Sequence, residues 1–196
     1  MNKPNLLFPT PVWTFQVDDF NIINKEMYSF IKENQIKDQI GIKKSNNKGW
    51  HSKNFDMQSI EPKNFINKIS SYIEQVMIDM NWEKEKQTIK ISNMWAIINT
   101  GGSTNSRHQH GNSTISAAYY VKAPKNCGDI VFYDPRPAPV YYYPSAESSN
   151  LLNAQVNGVT PKEGALIMFP SYLDHSVNEN LSNQERIVIS FNIIVQ

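Results

Sequence analysis

The sequence has a single cysteine, Cys127, which excludes a disulfide within these 196 residues and fits a reducing compartment. It has no surplus of charge either. Nineteen Lys and Arg face 18 Asp and Glu, so nothing global favours nucleic acid or an anionic membrane surface. No apolar run approaches the ~20 residues that a membrane-spanning helix needs. The opening MNKPNLLFPTPVW places prolines where a signal peptide needs an unbroken apolar stretch. Repeats and low-complexity tracts are also missing. These absences lead us to expect a globular protein of the cytoplasm, long enough for one domain with a substantial core.

What is present divides near residue 87. Residues 6–17 (LLFPTPVWTFQV) are apolar, aromatic and broken by Pro9 and Pro11, as in an edge strand or extended lead-in, which either a second subunit of a homodimer or the chain's own barrel could cover. Asp18 or Asp19 can cap a helix over 22–34 with Ile23, Met27, Phe30 and Ile31 as its apolar stripe. A polar loop over 35–48 and a short strand within 49–57 (GWHSKNFDM) follow. A second helix runs from Pro62 to about Trp82, where Phe65, Ile66, Ile69, Tyr72, Ile73, Val76, Met77 and Met80 keep i, i+3, i+4, i+7 spacing.

From Thr88 the period changes to that of strands. Segments 88–99, 114–122, 129–133, 165–169 and 186–195 are rich in β-branched and aromatic residues, with Gly and Pro between them. A turn over 101–105 precedes a short extended piece, 107–111 (RHQHG). Short strands at this spacing predict a barrel or sandwich rather than alternating βαβ units.

Three of the four histidines lie in this second half. His108 and His110 are two apart, which on a strand turns both rings to one face. His175 follows the apolar strand 165–169 and the turn 170–174, where a barrel can return it to the first pair. Three neutral imidazoles would occupy one triangular face of an octahedral metal site and leave three positions open. Taken alone, H-x-H describes two hydrogen-bonded surface histidines equally well. Arg186 opens the last strand, with Val188 and Ser190 on the same face. An arginine turned into an apolar barrel needs a carboxylate or phosphate partner, because leaving it unpaired costs roughly several kcal/mol. The other reading turns Arg186 to solvent at the strand start. Of the adjacent pair Tyr119 and Tyr120, one must face inward. His51, beside Trp50, reads as a surface or packing residue, and Asn93, Trp95 and Asn99 lie on a strand that can border the cavity.

The stretches SRHQHGNSTISAAYYVKAPKNCGDIVFYDPR, TPKEGALIMFPSYLDHSVNEN and ERIVISFN together resemble the iron(II)- and 2-oxoglutarate-dependent oxygenases. With FPTPVW and GWHS the sequence is most similar to a group of such oxygenases found in marine bacteria and their phages. The resemblance implies an α+β, mainly β fold: a double-stranded β-helix barrel (jelly-roll or cupin-like) over 88–196, with an N-terminal strand and supporting helices over 1–87. It implies Fe(II), 2-oxoglutarate as cosubstrate and O2. His108 and His175 would be the two metal-binding histidines. Arg186, with Ser190 on its face, and Tyr120 would receive the distal carboxylate of 2-oxoglutarate.

One position departs from the superfamily pattern H-x-D/E, because this chain has His108-Gln109-His110. Either His110 replaces the carboxylate, which is the preferred reading, or the carboxylate comes from Asp134 in FYDPR, with Asp174 behind it. Three neutral ligands leave the full +2 charge on iron, and a dianionic cosubstrate can neutralise it.

The resemblance therefore implies a dioxygenase that hydroxylates a peptidyl or small-molecule substrate, with succinate and CO2 released. Two alternatives stay open: a three-histidine cupin-type dioxygenase or isomerase without 2-oxoglutarate, and a non-enzymatic barrel that binds a ligand or partner. Arg136 and the run 140–143 (VYYY) could line the cavity mouth or simply cover the barrel. Cys127 has no assigned part in the chemistry. The expected location is the cytoplasm, of the host if the source is a phage.

Overall fold

Alternation along the strands gives this chain two apolar layers, one on each side of a single sheet. A computed structural model describes residues 4–136 and 144–196. The elements run β1 (Trp13–Gln16), α1 (Phe20–Lys37), β2 (Asn46–Asn47), β3 (Trp50–His51), α2 (Ile60–Asp79), β4 (Ile89–Asn99), β5 (Thr104–His108), β6 (Ile115–Lys122), β7 (Ile130–Tyr133), β8 (Val156–Val159), β9 (Ala165–Pro170), β10 (His175–Val177) and β11 (Arg186–Val195). They form a six-stranded sheet in the order β1-β9-β6-β11-β4-β3 and a five-stranded sheet in the order β2-β5-β10-β7-β8. Every pairing is antiparallel.

One face of the larger sheet presents Met94, Ala96, Ile98, Tyr119, Leu166, Met168, Ile187, Ile189 and Phe191 to the helices. Those helices answer with stripes four residues apart: Ile23, Met27 and Ile31 on α1, and Phe65, Ile69 and Ile73 on α2. On the other face Ala118, Tyr120, Ile167 and Val188 meet Ile130 and Phe132 of the smaller sheet. The two sheets therefore pack face to face, and the functional cleft opens where that inner layer gives way to polar side chains.

The helix ends differ from the sequence-based expectation for identifiable reasons. Asp19 sits in the left-handed region (φ 49) rather than the extended one a capping side chain needs, and it makes no cap hydrogen bond. The second helix stops at Asp79 because Asn81 adopts φ 51; its N–H bonds to the Ile78 carbonyl (2.9 Å) and the Trp82 N–H to the Met77 carbonyl (3.1 Å), a Schellman closure. The strand expected over 107–111 instead covers Thr104–His108. The turn is complete by Gly102 (φ 79), so pairing with β2 begins at Thr104. β8 and β10 were not anticipated; the first reads VNGV, too polar and glycine-broken to announce itself, and the second has three residues.

Candidate metal centre

Strand pairing brings the first two histidines together. His108 ends β5 and His175 begins β10, and they are direct partners across the antiparallel ladder with ring centroids 4.3 Å apart. His110 lies beyond the strand, anchored by its N–H to the Ser171 carbonyl (3.0 Å). Its ring is 5.2 Å from that of His108 and 5.1 Å from that of His175. One ligand nitrogen from each of the three falls within 4.8 Å of the others.

All three rings are oriented from behind. Nδ1 of His108 meets the Ser106 carbonyl at 2.7 Å, and Nδ1 of His175 meets the Leu173 carbonyl at 2.9 Å. Nδ1 of His110 meets Oδ1 of Asn192 at 2.6 Å. A carbonyl oxygen can only accept, so each Nδ1 carries the proton and each Nε2 keeps its lone pair. Behind His110 the network continues through the Ser116 hydroxyl, 2.8 Å from Asn192 Oδ1 and 2.8 Å from the Ser171 hydroxyl. Burial, and then the other two rings, push His175 down to about 3, while burial holds His108 and His110 below the ordinary histidine range. Three uncharged imidazoles with inward lone pairs and tied outer nitrogens form a donor set suited to a divalent first-row ion.

The two carboxylates considered as alternatives stand elsewhere. Asp134 grips Arg136 (2.8 and 3.0 Å), and that hydrogen bonding holds its carboxyl below the usual range. Asp174 takes both contacts from Arg107 (2.9 and 2.6 Å). Neither belongs to a metal-ligating group among the described residues.

The histidines open into a cleft of about 790 Å³ that Tyr120, Arg186 and Ser190 also line. Arg186 is 2% exposed, and its Nη1 donates to the carbonyls of Cys127 (2.6 Å) and Gly128 (3.2 Å). Among the described residues no carboxylate pairs with it, and burial lowers its affinity for the proton. Tyr120 is as deeply buried, and burial pushes its phenol well above the usual value. Its neighbour Tyr119 faces the other way, donating to Oδ1 of Asn24 on α1 at 2.6 Å.

Several residues in and behind the cleft have no chemical role assigned in the sequence. His51, read there as a surface or packing residue, is buried and stacks on Trp95 at 5.7 Å with the rings within 7° of parallel. Asn192 and Ser116 hold His110, and extending the alternation 186, 188, 190 by one step would have found Asn192. Pairing aligns His51, Ile97, Val188 and Tyr120 in one row and Trp95, Ser190 and Ala118 in the next. The run 140–143 lies outside the described residues.

A family model described as "Putative 2OG-Fe(II) oxygenase" matches residues 93–192, a span that includes all three histidines, Tyr120, Arg186 and Ser190. No curated protein matches the sequence. Among solved structures, a prolyl-4-hydroxylase from Pseudomonas putida superposes with a TM-score of 0.62 at 11% identity, covering 94% of this chain and 92% of its own. The non-heme α-ketoglutarate-dependent epimerase SnoN from nogalamycin biosynthesis gives 0.69 at 10% identity, over 94% and 78%. A Trichoplax adhaerens prolyl hydroxylase, solved with a hypoxia-inducible-factor peptide, gives 0.65 at 12% identity, over 93% and 83%. At such identities the likeness is one of fold, and it identifies the two facing sheets as a double-stranded β-helix.

Proposed function

This chain belongs to the 2OG-Fe(II) oxygenase family, and we propose that it acts as a dioxygenase that hydroxylates a small-molecule or peptidyl substrate. His108, His110 and His175 would hold iron(II), and Arg186, assisted by Tyr120 and Ser190, would hold the distal carboxylate of 2-oxoglutarate. Iron and 2-oxoglutarate, when bound, would activate O2, with one oxygen atom inserted into a C–H bond of the substrate and the other carried into succinate as carbon dioxide is released.

The observation that carries this reading is the buried guanidinium of Arg186, without an acidic partner among the described residues, in the same cleft as three neutral histidines. A desolvated arginine of this kind calls for a carboxylate, and a dicarboxylate that also reaches the histidines supplies one. Tyr120, protonated throughout the neutral range, can donate its hydroxyl hydrogen to the same group. The tied Nδ1 atoms fix which nitrogen of each ring faces a metal. The apolar inner layer of Ile130, Phe169 and Val188 keeps water from part of the cleft.

Anaerobic titration of the apo-protein with iron(II) and then 2-oxoglutarate tests this directly. The expected result is a weak visible charge-transfer band that disappears in Arg186→Ala and His175→Ala. His110→Ala should lose iron, whereas Asp134→Ala should bind it unchanged; the reverse pattern would hand the third position to the carboxylate. Iron binding without the band would support a three-histidine enzyme that does not use 2-oxoglutarate. Absence of any metal binding would favour a non-enzymatic barrel.

A further inference from the structure

We infer that His51 is a substrate-binding residue, whose Nε2 accepts a hydrogen bond from an amide N–H or a hydroxyl of an uncharged substrate group. That the donor belongs to the molecule oxidised rests on the oxygenase reading above; the subsite itself does not. Every residue assigned above to the metal or the cosubstrate lies within 93–192, the span of the family match. Part of the cleft wall does not: Ile42, Lys44, Ser45, His51, Lys53 and Asn54 also line it. Segments laid over a shared scaffold are where binding specificity is commonly carried. Of those six side chains, His51 is the one that is buried.

The ring is held on two sides. Nδ1 lies 2.7 Å from the Ser52 carbonyl, which can only accept, so Nδ1 carries the proton and Nε2 the lone pair. Ser52 is itself fixed to β4, donating its N–H to the Ala96 carbonyl (2.9 Å) and receiving the Ala96 N–H on Oγ (2.9 Å). Trp95 lies against the face of the imidazole and sets its plane. His51 is thus oriented as the three metal-centre histidines are, yet it stands outside their group. Among the described residues Nε2 has no hydrogen-bond partner, and it keeps accessible surface, unlike Nε1 of Trp95, which is sealed. The ring is 5% exposed, as open to the cleft as His175 at 4%.

A fixed acceptor left without a donor in a buried wall is a cost that a ligand can remove. Burial also keeps the imidazole below the ordinary histidine range, hence uncharged near neutrality and able to accept. Among the described residues the cleft is lined by Lys44, Lys53, Arg107 and Arg186 and by no Asp or Glu, so an ammonium donor would meet like charge. Amide N–H and hydroxyl groups remain. The subsite is also near the chemistry: one ring, that of Trp95, stands between His51 and His110, 5.8 Å from the latter. A site built to receive a donor rejects the analogue that lacks it, which makes His51 a specificity-determining position.

The test uses the protein loaded with zinc(II) and 2-oxoglutarate, a diamagnetic and unreactive pairing, with the histidine ring ¹⁵N signals observed by NMR. The His51 signals are those lost in His51→Phe, which keeps a flat ring against Trp95. Two matched pairs of probes are titrated: benzamide with N,N-dimethylbenzamide, and benzyl alcohol with benzyl methyl ether. The expected result is a saturable upfield shift of His51 Nε2 with benzamide, benzyl alcohol or both, and none with the methylated partners. Whichever donor acts distinguishes an amide from an alcohol substrate. By calorimetry His51→Phe should bind that donor about threefold or more weakly. His51→Gln, whose amide oxygen can stand in for Nε2, should recover most of the loss, and both variants should still bind zinc and 2-oxoglutarate. Equal shifts with the methylated partners, no shift with either donor, unchanged affinity in His51→Phe, or a loss that His51→Gln does not repair would each overturn the proposal. If 2-oxoglutarate fails to bind but a donor still moves Nε2, the oxygenase reading falls and the subsite stands; if 2-oxoglutarate binds and no donor moves it, the subsite falls alone.

Discussion

Along β11, Ile187, Ile189, Phe191 and Ile193 point at the helices, and Arg186, Val188, Ser190 and Asn192 alternate with them toward the cleft or its supporting network. The same ten residues therefore serve two environments, separated only by the thickness of a strand. The helix side is aliphatic and aromatic, and closely packed. Among the described residues, the cleft side keeps an arginine without an acid and an indole N–H without an acceptor. Stability comes from one face and is spent in part on preorganising the other, as expected where binding groups are mounted on rigid strands.

That division can be broken by experiment. The largest effect should come from Phe191→Ala. This side chain is fully buried and meets Phe65 edge-on at 6.1 Å, so truncation should cost about 3–5 kcal/mol of unfolding free energy. Iron and 2-oxoglutarate affinities should be unchanged at temperatures where the variant is folded. Arg186→Met should do the converse. Removing a desolvated cation offsets the two lost carbonyl contacts, so stability should move by no more than about 1 kcal/mol. Affinity for 2-oxoglutarate, read by the chelate band or calorimetry, should fall about 10–100-fold. If Arg186→Met unfolds as readily as Phe191→Ala, the two faces are not separable.

Asn192→Ala sharpens the comparison within the cleft side. Loss of the acceptor behind His110 should weaken iron about 10–100-fold while chemical denaturation changes little. An unchanged iron affinity would mean that Ser116 alone fixes the ring. A further effect is a pH slope in the metal-free protein. Unfolded histidines titrate near 6.5, and the folded ones are depressed, His175 to about 3. The unfolded state thus binds more protons below about 6.5, so stability is fully present above that value and falls as pH drops toward 3. The slope is at most about 1.4 kcal/mol per pH unit for each histidine. Urea melts at pH 7.5 and 5 would detect it, and His175→Gln should flatten it.

Legibility in the sequence followed period and length. β4, β6, β9 and β11 are long enough for alternation to show, and their bounds were read to within a residue or two. α2 was read from its stripe, but its C-terminal stop depends on the left-handed Asn81, which periodicity does not register. For the centre, spacing puts His108 and His110 on one face, but the structure carries His110 past the end of β5, and His175 meets His108 through strand pairing. What His51 stacks on depends on which strands become neighbours. Row partners such as His51 and Ile97 are 46 positions apart, and no local pattern carries that pairing.

Gly128 deserves a last consequence. Its φ of +90 and its contact with the backbone of Asn178 and Glu179 leave no room for a side chain, and its carbonyl receives Nη1 of Arg186. Exposed loop residues at the mouth of the cleft, such as Lys44, can be replaced one at a time without steric conflict. The corner around Gly128 cannot be. A change there would have to be matched at once in the 178–179 segment and at the start of β11, so this corner is heritable only as a block, even though Gly128 itself need touch no ligand.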